Sequence, residues 1–228
     1  GAPIQNIGAY GVEVSKYIKS VQAWDFRKNK IVVLQNKECE FNYRSSIFKK
    51  YKNENDLLNP RFLIISVDFL LKSIEKSKLN FNYAGIRENL CGEPTPKKIA
   101  KIISELRLKK LPDLSKEPNV GSFFINPSIE KKQAKELKTL FPEMPQIKNI
   151  KNSKIKVSAA WLIEKSGFKG VRKKNVGVSS RHSLVLVNYK NATAKEILLF
   201  AKEIQLSVQS KFKIVLNIEP LIIKPSEK

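Results

Sequence analysis

Apolar residues in this 228-residue chain follow two rhythms, and the change between them limits the fold more than any single motif. Before about residue 95 they gather in short continuous blocks, Lys30 to Gln35 and Arg61 to Leu71, bounded by polar or turn-forming residues. Blocks of this length and composition read as strands. From Pro96 the spacing turns helical: Ile99, Ile102, Ile103 and Leu106 share one face, Thr95 is placed to cap the first turn, and Pro112 follows an end near Lys109. Ile129, Leu137 and Leu140 predict a second helix stopped by Pro142, and Ser158 begins a third that carries Trp161, Leu162 and Ile163 and ends at Gly167. Ser183 to Asn188 reads as a strand. Thr193-Ala-Lys-Glu196 is a capping box opening the longest helix, with Ile197, Phe200, Ala201, Ile204 and Val208 as its buried stripe, and Ile214 to Ile218 returns as a strand. The expected fold is α+β: a strand-richer part over residues 1–112, a mixed sheet with helices, then a compact α+β domain over 113–228, with Pro112 to Pro118 as the crossing. Lys49 to Asn59, rich in Lys and Asn, reads as an exposed loop closed by Pro60.

With 42% hydrophobic residues the chain can bury a core. Its longest apolar runs, Phe62 to Leu71 and Leu184 to Val187, fall far short of the roughly 20 residues of a membrane-spanning helix, so no membrane insertion is expected. The start, Gly-Ala-Pro without Met and without an Arg-rich or hydrophobic leader, reads as cut or processed. Cys39 and Cys91 lack ligand spacing and His182 is the only histidine, which excludes a disulfide framework and a zinc or histidine-cluster mechanism. No metal is expected, and a reducing cytoplasm is the expected compartment. The net charge of +22 invites a nucleic-acid reading. Only seven of the 43 basic residues are arginine, however, the residue favoured for forked phosphate and base recognition. No zinc-finger spacing, paired-aromatic RNA pattern or basic zipper is visible. The charge reads as a solvated lysine surface that favours anionic ligands; no nucleic-acid partner is expected, and a monomer is.

Three segments carry chemistry. In Asn119-Val-Gly-Ser-Phe-Phe-Ile-Asn-Pro127, preceded by Lys110-Leu-Pro-Asp113, Ser122 lies between a glycine and two rings able to keep water from a proton donor. Alone, Gly121-Ser122 reads rather as loop punctuation between two elements. In Asn42-Tyr-Arg-Ser-Ser-Ile-Phe48, the forked cation of Arg44 suits a carboxylate, or a surface ion pair. Glu219 in Leu216-Asn-Ile-Glu-Pro220 reads, by itself, as a solvated strand-end carboxylate.

These segments, in this order, resemble the UDP-N-acetylenolpyruvoylglucosamine reductase (MurB) family. The resemblance is also carried by Pro3-Ile-Gln-Asn-Ile-Gly-Ala-Tyr-Gly-Val-Glu13 and by Ala159-Ala-Trp-Leu-Ile163 followed by Gly167-Phe-Lys-Gly170, and it runs from Gly1 to the end of the chain. It corresponds to the last two-thirds of such an enzyme. It implies that residues 1–112 are the C-terminal part of an FAD-binding domain lacking its N-terminal lobe. Residues 113–228 would be the substrate-binding domain, the last few returning toward the flavin domain.

The activity implied is reduction of UDP-N-acetylglucosamine enolpyruvate to UDP-N-acetylmuramate in peptidoglycan precursor synthesis, serving cell wall biogenesis, cell shape and division, with FAD as cofactor and NADPH as reductant. The resemblance further implies Ser122 as proton donor, Arg44 as partner of the substrate carboxylate and Glu219 as the third catalytic group. A two-residue alignment shift would instead leave Leu221 at that last position. Gln5, Asn6, Gly8, Tyr10 and Arg107 are implied near the flavin, and Tyr43, Tyr83, Lys110, Asn126 and His182 near the UDP-sugar. Tyr83 reads equally as a surface aromatic, and a lone histidine as structural. Ser45 replaces an aspartate, Ile147 a tyrosine of one subclass, and Leu221 an arginine of the family pattern. The alternative functions are a UDP-sugar-binding remnant without flavin chemistry and a basic nucleic-acid-binding protein.

Overall fold

A computed structural model describes residues 1–50, 60–76, 79–81, 83, 85–148 and 154–223. The chain divides into two compact units, Gly1–Ser104 together with Ile222 and Ile223, and Glu105–Leu221. The loop expected at Lys49 to Asn59 lies outside the described residues beyond Lys50.

The first unit opens with the short helix α1 (Ala2–Gln5) and a hairpin of β1 (Gly8–Ala9) and β2 (Val12–Glu13). Its two-residue turn, Tyr10-Gly11, has φ of 51° and 78°. Positive φ at both centres is the mirror-type turn whose twist matches a hairpin. It costs tyrosine about 1–2 kcal/mol that glycine or asparagine would largely avoid. The main sheet of the unit is antiparallel, of β3 (Ile18–Asp25), β4 (Lys30–Gln35) and β5 (Phe62–Phe69) in the order β4-β3-β5. β4 and β5 lie where the apolar blocks predict them; the central strand β3 has no such block. Its Lys19, Ser20 and Gln22 break up the apolar pattern, yet Ser20 is buried because its Oγ donates to Asp68 Oδ2 on β5 at 2.6 Å.

One face of this sheet supplies Val21, Ala23, Leu34 and Phe62 to a small core with Cys39 and Phe48. On the other face Trp24 is flanked by Ile31 and Leu63, both more than half exposed. Helix α2 (Pro96–Lys110) begins as predicted, with Thr95 Oγ1 accepting from the Lys98 amide at 3.2 Å and with Ile99 and Ile102 buried. The division between the units falls inside α2.

The second unit contains a four-stranded antiparallel sheet in the order β10-β11-β12-β6, built from β6 (Asn119–Ser122), β10 (Arg172–Lys173), β11 (Val176–Val178) and β12 (Val185–Asn188). A smaller sheet pairs β7 (Ser128–Ile129) and β8 (Gln146–Lys148) with β9 (Ile155–Val157). Helices α3 (Lys131–Leu140), α4 (Ala159–Lys165) and α5 (Ala194–Phe212) complete the unit. The capping box forms: Thr193 Oγ1 accepts from the Glu196 amide, and the Thr193 amide donates to Glu196 Oε2 at 2.7 Å. α5 then buries Phe200, Ala201, Ile204, Val208 and Phe212, with Ile197 half-buried beside them. Phe212 joins Phe141 and Trp161 in a ring cluster with centroids 5.1–5.8 Å apart, the geometry aromatic side chains favour.

Three expectations need correction. Ile129 belongs to β7, not to the following helix; α3 buries Ala134 and Leu137, and Leu140 is exposed. Ile214 to Ile218 alternates between buried and exposed as a strand would, but it pairs with Phe123–Ile125 through a single bridge, Phe124 opposite Ile218, and forms no ladder. Finally, the segment around Gly121-Ser122 is the end of a paired strand. Between Val185 opposite Ser122 and Val187 opposite Asn119, two residues of β6 face one of β12, and Gly121 takes up this bulge at φ 75°.

Candidate active site

Seven residues singled out in the sequence come together in the first unit. Arg44 sits at φ 52° in a tight turn closed by reciprocal backbone bonds between Asn42 and Ser45, at 2.9 and 3.1 Å. From there its guanidinium donates through Nη1 to the Asn6 carbonyl at 3.3 Å and through Nη2 to the Gly8 carbonyl at 2.7 Å. Gly8 is required by this approach: a Cβ there would lie 2.9 Å from Glu13 Cγ and the Val12 carbonyl and 3.3 Å from Arg44 Nη1. The Tyr43 ring centroid is 5.0 Å from Arg44 Cζ, within cation–π range. Lys49 Nζ donates to Gln5 Oε1 at 2.6 Å and to the Arg44 carbonyl at 3.4 Å, tying α1 to the arginine turn. Tyr10 meets Tyr83 edge-on at 5.2 Å.

Asn6 acts in this cluster as an internal brace. It is fully buried; its Nδ2 donates to the Asn42 carbonyl at 2.9 Å and to Glu13 Oε2 at 3.3 Å, and its Oδ1 accepts from the Ser15 amide at 3.1 Å. A side chain so engaged holds the hairpin against the arginine turn, and no face of it is presented to a ligand. Sequence reasoning missed Ser46, buried directly after that turn, whose Oγ donates to the Ile4 carbonyl at 2.7 Å. It also missed the part of Lys49. Neither residue type carries a signal of its own, since both act through contacts far along the chain.

In the second unit Ser122 is exposed at the end of β6, while Phe123 and Phe124 are 4% and 1% exposed in the core. The rings therefore support the strand beneath the hydroxyl and do not cover it. Backbone bonds from the Ile125 amide to Asn217 and from the Glu219 amide to Phe123, both 2.9 Å, lay the chain after α5 alongside this stretch. Glu219, half-buried, is thus opposite Phe123, one residue from Ser122. Two groups far apart in sequence are brought onto adjacent stretches of backbone.

The remaining residues divide. Asn126 uses its Oδ1 to accept the Ala159 amide at 2.9 Å, fixing the start of α4. His182 is half-buried, with Nδ1 accepting from the Leu184 amide at 3.2 Å, so the neutral ring carries its proton on Nε2. Burial first, then the Lys110 and Lys169 charges, holds its pKa below the usual 6.5, partly opposed by Glu164. Lys110 is exposed on the last turn of α2, with Arg107 before it. Ile147 lies on β8, its side chain outside the described residues. Cys39 is no nucleophile, because burial above all, with Glu38, pushes its thiol up to about 11. Among the described residues no group of three or more His, Cys, Asp or Glu could hold a metal.

Residues 113–223 match the family described as UDP-N-acetylenolpyruvoylglucosamine reductase, C-terminal domain. A UDP-N-acetylenolpyruvoylglucosamine reductase of Xylella fastidiosa (strain M12) is 43% identical over 224 residues, covering 96% of this chain and 61% of that protein. One of Xanthomonas euvesicatoria pv. vesicatoria (strain 85-10) is 40% identical over 225 residues, covering 97% and 62%. Across nearly all of its length the chain is similar to UDP-N-acetylenolpyruvoylglucosamine reductases, and residues 113–223 match their C-terminal domain. It spans about three fifths of the length of these reductase relatives. The fold is similar to the crystal structure of UDP-N-acetylenolpyruvylglucosamine reductase (MurB) from Thermus caldophilus, with a TM-score of 0.56 at 20% identity over 96% of this chain and 57% of that one. That likeness is one of fold, and the α+β class expected from the sequence agrees with it.

Proposed function

We propose that the chain is the larger part of a flavin-dependent reductase that converts UDP-N-acetylglucosamine enolpyruvate to UDP-N-acetylmuramate for peptidoglycan synthesis. In this reading residues 1–112 belong to the FAD-binding domain and 113–228 to the substrate domain, and the enzyme is a cytoplasmic monomer that takes no nucleic acid. The observation that carries it is the match of residues 113–223 to the C-terminal domain of the reductases, in which the backbone at Glu219 bonds to Phe123, the residue after Ser122.

The residues at the hairpin suit a flavin: a half-buried amide at Gln5 and a phenol at Tyr10 offer donor and acceptor edges to a flat heterocycle, with the Gly8 main chain beside them. Gln5, Tyr10 and Gly8 would hold it, with Asn6 bracing them from behind. Bound FAD, itself reduced by NADPH, would supply hydride to the terminal carbon of the enol ether. That addition places negative charge on the substrate carboxylate as an enolate. Arg44 would receive this carboxylate, its guanidinium held in place by the Asn6 and Gly8 carbonyls and stacked on Tyr43. Ser122 Oγ would donate the proton to the neighbouring carbon, completing the lactyl ether, and Glu219 would orient that hydroxyl or return its proton. Lys110, Asn126, His182 and Tyr83 would address the UDP-sugar, His182 as a neutral Nε2 donor. A second reading, UDP-sugar binding without flavin chemistry, draws on Leu221, half exposed where the family pattern calls for an arginine.

The test is a chimaera completed with the unmatched part of the Xylella fastidiosa relative. Its yellow flavin should bleach with NADPH and recover when the enolpyruvyl UDP-sugar is added. No recovery with FAD intact would refute the reductase, and tight UDP-sugar binding without recovery would favour the second reading.

A further inference from the structure

The β1–β2 turn carries a residue its backbone does not favour. Mirror-type hairpin turns prefer Asn-Gly, because both centres sit in the left-handed region. Gly11 conforms, but Tyr10 places a bulky ring at φ 51°, an outlier of the kind that points to function. The half-buried ring meets Tyr83 edge to face, with centroids 5.2 Å apart and planes at 63°. Gly11 shares the contact: a Cβ there would lie 3.2 Å from Asn80 Nδ2 and 3.8 Å from Tyr83 Cδ2. Asn80 and Tyr83 thus rest on the turn itself. Beyond Tyr83 the chain is secured by the Ile86 amide donating to the Tyr83 carbonyl at 3.0 Å, with Ile86 fully buried.

We propose that Tyr10 is a positioning residue for Tyr83. The turn tolerates an unfavoured residue because its ring holds Tyr83 against the hairpin that also carries Gly8 and the main chain bonded by Arg44. That Tyr83 then addresses the UDP-sugar rests on the reading above; the anchoring does not, and its test needs no ligand.

Residue-resolved amide exchange on the 228-residue chain, with Tyr10→Asn and Tyr10→Phe variants, decides it. Asparagine suits the turn but removes the ring. The Ile86 amide should therefore exchange roughly two- to tenfold faster in Tyr10→Asn, as expected for loss of one aromatic pair, with the β3 amides no faster than before. Tyr10→Phe should restore the original Ile86 rate. The proposal is overturned if Ile86 exchanges at the original rate in Tyr10→Asn, if β3 accelerates equally, or if Tyr10→Phe behaves like Tyr10→Asn.

Discussion

In the first unit the candidate arginine is fixed by hydrogen bonds to main-chain carbonyls beside a small core, whereas in the second the candidate serine and glutamate are fixed by strands laid over a large aromatic core. A polar scaffold depends on a few bonds, each strongly dependent on geometry, so one altered side chain should misplace Arg44 at modest cost in stability. A packed core spreads its hold over many contacts, so the same kind of change should unfold the unit before it moves the site.

The largest effect should follow from Phe124→Ala, which empties a 1%-exposed position where the Ser122 and Glu219 segments meet. A loss of about 3–5 kcal/mol is expected from the second unit, read as a downward shift of its calorimetric transition, with the first unit unchanged. An equal shift of both would end the contrast. Asn6→Ala should cost the first unit about 2–3 kcal/mol, because it strands the Ser15 amide and the Asn42 carbonyl as well as losing its own bonds. The second transition should stay put.

Arg61→Ala sharpens the comparison inside the first unit. It leaves Asp25, 1% exposed, without the guanidinium that bonds it at 2.8 Å. A fully buried pair would lose about 3–5 kcal/mol; with the Arg61 side chain 36% exposed, about 2 kcal/mol is expected. The bonds from Arg61, foremost, hold the Asp25 carboxyl below its ordinary 3.8 against the opposing effect of burial. A lowered carboxyl pKa stabilises fully above the unfolded value and ceases to do so as pH falls through the folded one. Arg61→Ala should accordingly flatten the acid limb of the first transition below about pH 4, and an unchanged limb would exclude the pair as its source.

The smallest effect concerns His182, whose folded pKa lies below 6.5. As pH drops from 6.5 toward that value the unfolded chain takes up a proton the folded one resists, so stability of the second unit should fall with pH in this window. His182→Gln should abolish the slope in urea titrations, and a persisting slope would assign it elsewhere.

What could be read in advance follows the same division. Helices α2, α4 and α5 are written in local signals, a cap and a stripe each, and so they lie where the sequence puts them. β3 is hidden because its polar residues are satisfied by partners on another strand, as Ser20 is by Asp68. Ile129 mimics a helical repeat by coincidence of spacing, and Gly121 suggests a turn where it accommodates a bulge. At the candidate site, the family resemblance, more than residue type, singled out Ser122, Arg44 and Glu219. The burial of Asn6 and the aim of the Arg44 guanidinium were beyond reach, since they rest on contacts some 36–38 residues apart.

The proton donor carries the account, and Ser122→Ala in the completed reductase tests it most directly by separating the two half-reactions in a stopped-flow instrument. Bleaching by NADPH should proceed within about twofold of the parent rate, while recovery by the enolpyruvyl UDP-sugar should slow by roughly 10²- to 10⁴-fold, the usual worth of a positioned acid. Equal slowing of both halves, or full-speed recovery without the hydroxyl, would contradict the role assigned to Ser122.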